Sequence, residues 1–87
     1  MSYTTTKEII AQEKKYNLLI EIKTLHPNHL VNRCIYENIS LTIDEVDDYL
    51  DTRPVESQGE ERLYIFKKLS QSGLLDAPYH LIKRILK

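Results

Sequence analysis

The chain has 87 residues, with 41% hydrophobic residues, three prolines, two glycines and one cysteine, a balance that fits one folded domain with a modest core and excludes a disordered tail. Its formal net charge of −1 hides a segregated layout: residues 1–36 carry a net +2, residues 37–61 a net −8 and residues 62–87 a net +5. One cysteine excludes an internal disulfide, and two glycines cannot build a phosphate-cradling loop.

No apolar run approaches the length needed to span a bilayer. The opening Met-Ser-Tyr-Thr-Thr-Thr lacks the basic and apolar regions of a signal peptide. Cytoplasmic residence is therefore expected, with no membrane partner.

In chain order, Thr5 followed by Glu8 has capping-box spacing and predicts a first helix running to about Leu25. That helix stops at His26, because Pro27 disfavours helical geometry in the residue before it. Its apolar positions Ile9, Tyr16, Leu19, Ile20 and Ile22 fit helical spacing in part, and Leu18–Ile22 alone would also read as a short strand. The charged helix-formers around that stretch favour helix. Pro27 opens a second helix with Leu30, Val31, Cys34 and Ile35 on one face.

Thr42 and Glu45 form a second capping box, and Leu41 and Val46 occupy the two positions of a hydrophobic staple. A third helix follows with Ile43, Val46, Tyr49 and Leu50 at helical spacing, and Pro54 ends it. Arg53–Gln58 reads as a loop, and Ser57 with Glu60 as a third capping box opening a fourth helix. Leu63, Phe66 and Leu69 are its expected buried stripe, and Gly73 its left-handed terminator, with Leu74 placed to touch Leu69. Asp76 is expected to cap a last helix whose inner face is Leu81, Ile82, Ile85 and Leu86. No convincing strand alternation, hairpin signal or repeat interrupts this order. The expected fold is all-α, a compact single domain over residues 1–87 with four to five short helices.

The acidic centre concentrates on the third helix. Asp44, Asp47, Asp48 and Asp51 lie three or four residues apart and share one side. Asp44/Asp48 and Asp47/Asp51 are like-charge pairs at a spacing that costs an isolated helix about 0.2–0.5 kcal/mol each. Such a face is either solvated, with neutralising help from Lys67, Lys68 or Arg84, or it meets a basic partner whose complementary charge speeds encounter. In the second case Tyr49 and the loop Arg53-Pro54-Val55 would supply anchoring beside the charges. Calcium does not fit, since the segment lacks alternating carboxylates around a central glycine.

His26, His29 and Cys34 are the only candidate zinc ligands with helical proximity, and a structural site needs four. Cys34 falls on the apolar stripe of its helix, where a buried thiol is inert. Cap and surface roles for the histidines are expected, with no metal, no cofactor and no catalytic residue. A chain of this size gives up core positions to any pocket, so no enzyme is expected.

Lys67, Lys68, Lys83, Arg84 and Lys87 could line a surface for phosphate contacts. Ser40–Leu50 reads like a supporting helix and Ile65–Leu75 like the end of a recognition helix, so about half the chain resembles a winged-helix or helix-turn-helix DNA-binding domain. The resemblance implies DNA contact through the fourth helix. Two features depart from that family: the fourth helix begins with acidic Gly59-Glu60-Glu61, and the segment after Leu75 reads as a helix rather than a wing. A related domain that lost DNA binding and kept protein contacts fits both.

The expected function is a protein-interaction module of the inhibitor, neutraliser or adaptor type. It would bind a basic surface through Asp44, Asp47, Asp48, Asp51, Tyr49 and Arg53. The alternative is a small DNA-binding regulator using Lys67, Lys68, Lys83, Arg84 and Lys87. Self-association stays open.

Overall fold

Five helices and one pair of very short strands make up the computed structural model, which describes residues 6–86. Helix α1 spans Thr6–Glu21 and tightens into a 3₁₀ turn, Ile22–Thr24, ahead of Pro27. Its expected cap at Thr5 lies outside the described residues. α2 runs Pro27–Glu37, β1 Leu41–Thr42, α3 Ile43–Leu50, α4 Val55–Gln71, β2 Leu75–Asp76 and α5 Tyr79–Ile85. The all-α expectation holds, and no described helix is long and apolar enough to cross a membrane.

The core is one contiguous cluster drawn from every segment between Leu18 and Leu75. α4 lies at its centre, with α2 and α3 packed against it. Phe66, Ile65 and Leu69 from α4 meet Leu30, Val31 and Cys34 from α2 and Val46, Tyr49 and Leu50 from α3, all buried. No described polar side-chain atom is buried without a hydrogen-bond partner.

Two pieces of local chemistry lock this arrangement, and both were legible in advance. The Thr42 hydroxyl accepts from the Glu45 amide at 3.1 Å, and the Glu45 carboxylate accepts from the Thr42 amide at 2.9 Å. The staple residues Leu41 and Val46 are both fully buried. At the far end of α4, Gly73 adopts φ +70°, a conformation that costs other residues. The Leu74 amide then donates to the Leu69 carbonyl at 2.7 Å and the Gly73 amide to Ser70 at 3.1 Å. This is the double bond pattern of a glycine-terminated helix.

Five expectations need correction. First, α4 begins three residues early, at Val55, and Ser57 is not its cap. Proline's fixed φ suits a helix entrance, so Pro54 takes the cap position, and the Ser57 hydroxyl donates back to the Pro54 carbonyl at 3.0 Å. Second, Leu63 is 54% exposed and Ile65 takes its place in the core. A helix wedged between two neighbours buries adjacent positions such as Ile65 and Phe66, and Leu63 points about 200° away from Ile65.

Third, Asp76 belongs to β2, which pairs in parallel with β1 through Leu41–Leu75 and Thr42–Asp76, and Pro78 stands at the start of α5. Two-residue strands carry no alternation that sequence periodicity could register. Fourth, no α5 residue is fully buried; Ile82 and Ile85 pack against the core edge, while Leu86 is exposed. Fifth, Ile9, Tyr16 and Ile20 of α1 and Ile35 of α2 face outward, and Leu18 fills the core position on α1.

Candidate interaction surfaces

α3 presents its apolar side to α4 and turns its aspartates outward. Asp44, Asp48 and Asp51 are exposed and form no ion pair among the described residues. Asp47, closer to α4, accepts from the Arg62 guanidinium at 3.1 Å. That guanidinium also lies 4.6 Å from the centre of the Phe66 ring. Glu45 pairs with Lys15 of α1 at 2.9 Å. Burial pushes the Glu45 carboxyl up, but the Thr42 amide and Lys15 outweigh it and hold the group below the usual carboxylate range.

The neutralising cations are therefore Arg62 and Lys15, not Lys67, Lys68 or Arg84. They serve the acids at the edges of α3 and leave its outermost three uncompensated.

Two residues expected at this surface are committed elsewhere. Tyr49 is 1% exposed, and its hydroxyl donates to the Leu25 carbonyl at 2.6 Å. It pins α3 to the exit of the 3₁₀ turn and has no free surface to offer a partner. Burial raises its phenol above the ordinary value. Arg53 forms a two-point contact with Glu61 of α4, at 3.0 and 3.2 Å, which closes the α3–α4 turn. That hydrogen-bonded pairing holds the Glu61 carboxyl below its ordinary value. The helix turns Tyr49 away from the aspartates beside it in sequence and onto the buried side with Val46 and Leu50. Of the expected anchoring loop, Pro54 and Val55 remain exposed, Val55 by 80%.

The basic set is dispersed over two helices. Lys67 and Lys68 are exposed on the second half of α4, and Lys83 and Arg84 are exposed on α5. Lys68 sits 6.0 Å from the Tyr64 ring centre and Lys83 5.2 Å from that of Tyr79. Lys87 lies outside the described residues. α5 occupies the position in the chain where a winged helix carries its β-hairpin.

His26 and His29 meet edge to face at 6.2 Å between ring centres. Among the described residues no three His, Cys, Asp or Glu side chains gather closely enough to hold a metal ion. Cys34 is fully buried, and loss of hydration pushes its thiol up to about 11, which removes the thiolate at neutral pH. An open cleft of about 440 Å³ separates α1 from the α2–β1 turn, with Ile10, Lys14 and Ile39 in its walls. Against known proteins the chain matches no family model, no curated protein and no solved structure.

Proposed function

We propose that the chain is a non-enzymatic protein-interaction module, of the inhibitor, neutraliser or adaptor type, which binds a basic surface of a partner protein through the outer face of α3. The carrying observation is the contrast among neighbouring acids. Glu45, Asp47 and Glu61 are each matched by a cation of this chain, whereas Asp44, Asp48 and Asp51 stand exposed with none. A fold that neutralises the acids within reach of its own cations has left three together on one side. Complementary charge there would accelerate encounter and orient the partner, and exposed Val55 beyond the α3–α4 turn supplies an apolar contact. A reducing, cytoplasmic setting suits the buried free thiol of Cys34.

Affinity capture from native lysate, with and without nuclease, tests this reading. Capture of a protein should survive nuclease, and changing Asp44, Asp48 and Asp51 together to Asn should slow association, more so at low salt. A partner bound at the same rate by parent and variant would move the interface off α3.

The second reading, a small DNA-binding regulator, is favoured by one observation. Lys67, Lys68, Lys83 and Arg84 are all exposed and free of ion pairs among the described residues. Glu56 and Glu60 on the leading half of α4 oppose it, because a recognition helix approaches phosphates with that end. Sub-micromolar binding of a defined duplex at physiological salt, weakened by neutralising those four cations, would reverse the ranking.

A further inference from the structure

The exposed side of α4 carries a pattern that neither reading uses. Glu56, Glu60, Leu63 and Lys67 follow one another at spacings of four, three and four residues, which places them on a single stripe, with Tyr64 at its border. All five are exposed, Leu63 by 54% and Tyr64 by 37%. Glu61 and Arg62, which tie α4 to Arg53 and Asp47, project from the other side of the helix. The stripe is therefore left over after α4 has made its contacts within the fold. Its charges are also unmet locally. Glu56, Glu60 and Lys67 form no ion pair among the described residues. Within the helix, the residues three and four beyond Glu60 are Leu63 and Tyr64, so no cation answers it there either.

We infer that this stripe is a docking surface for the same stripe of a second copy of the chain, with the two α4 helices antiparallel. The charge order selects that occupant. Acids fill the first half of the stripe, an apolar pair sits in the middle, and a base follows. A two-fold axis beside Leu63 brings Leu63 and Tyr64 of the two copies together and sets Glu60 of each against Lys67 of the other. Parallel pairing would instead oppose Glu60 to Glu60 and Lys67 to Lys67, which like-charge repulsion rejects. An isologous contact of this kind is the commonest form of self-association.

A single helix crossing is small beside a standard interface, so a reversible dimer in the micromolar range is expected.

Analytical ultracentrifugation of the full chain, from low micromolar to near-millimolar concentration and at two salt levels, tests the inference. The parent should show a reversible monomer–dimer equilibrium that weakens with salt. Glu60→Lys or Lys67→Glu alone should raise the dissociation constant by about tenfold or more, since each opposes like charges twice across the axis. The double exchange should restore dimerisation to near the parent's strength. Leu63→Glu should abolish it while leaving the circular dichroism spectrum and thermal midpoint of the monomer unchanged, because Leu63 is outside the core. A parent that stays monomeric throughout overturns the inference. So does a dimer indifferent to Leu63→Glu, or a double exchange that fails to restore pairing.

Discussion

Tyr49→Phe separates a structural tyrosine from a surface anchor more cleanly than any other single change. The substitution keeps the ring, which is 1% exposed and packed against the α2 and α4 core, so no cavity forms. It removes only the hydroxyl that donates to the Leu25 carbonyl at 2.6 Å. A net hydrogen bond of this kind contributes about 0.5–1.5 kcal/mol, and the half-buried carbonyl left behind keeps the loss near the upper end. For a domain of this size that corresponds to a fall in thermal midpoint of about 4–10 °C. The assay is urea and thermal unfolding followed by far-UV circular dichroism, with the urea m-value expected to stay constant because the native surface does not change. Partner capture by the variant should equal that of the parent at temperatures where both are folded. A midpoint that does not move, or a variant that is fully stable yet loses its partner, would refute the placement of Tyr49 inside the fold.

Gly59→Ala should stabilise the monomer by about 0.5–1 kcal/mol, since the added methyl enters open space and glycine is the weaker helix former; thermal unfolding at low concentration reads this, and a lowered midpoint would mean that the space is occupied. Acid should destabilise the fold in a definite window. Glu45 and Glu61 are both held below their ordinary values in the folded state. Their contribution is therefore fully present above the unfolded carboxylate pKa of about 4.3 and is lost as pH falls through the lower folded values. Urea midpoints should hold steady from neutrality to mild acid and then decline, and Glu61→Gln should remove part of that decline; a decline of unchanged steepness would detach it from the Arg53–Glu61 contact.

The helix signals written in adjacent residues were legible, and those set by distant neighbours were not. The Thr42–Glu45 box and the Gly73 terminator are short-range chemistry, complete within four or five residues, and the structure reproduces both. Ser57-x-x-Glu60 has the same spacing as Thr42-x-x-Glu45, yet it lies inside α4, because Pro54 had already opened the helix. Spacing alone cannot say which of two competing starts wins. The inner face of α4 departs from the expected stripe for a related reason. Leu63, Phe66 and Leu69 form a proper stripe, but packing between α2 and α3 widens the buried arc to Ile65 and displaces Leu63 outward. Tyr49 shows the same limit at the surface: its position beside the aspartates is sequence, whereas its bond to Leu25, 24 residues away, is tertiary structure.

The acids of α3 allow one more step. Like charges four apart weaken a helix, so Asp44/Asp48 and Asp47/Asp51 are each a small cost to the fold. Arg62 relieves the second pair by engaging Asp47, and it can do so because α4 runs alongside. Nothing among the described residues relieves the first. Asp44 sits in the first turn, where the helix dipole offsets part of its charge; Asp48 and Asp51 lie toward the other end, where the dipole opposes them. Neutral residues at those two positions would improve the isolated fold, and Arg62, the cation of α4 at this end of α3, is already engaged by Asp47. A surface arranged against the stability of its own helix is accounted for when its compensating charge comes from another molecule, which is the argument for looking at α3 first when a partner is found.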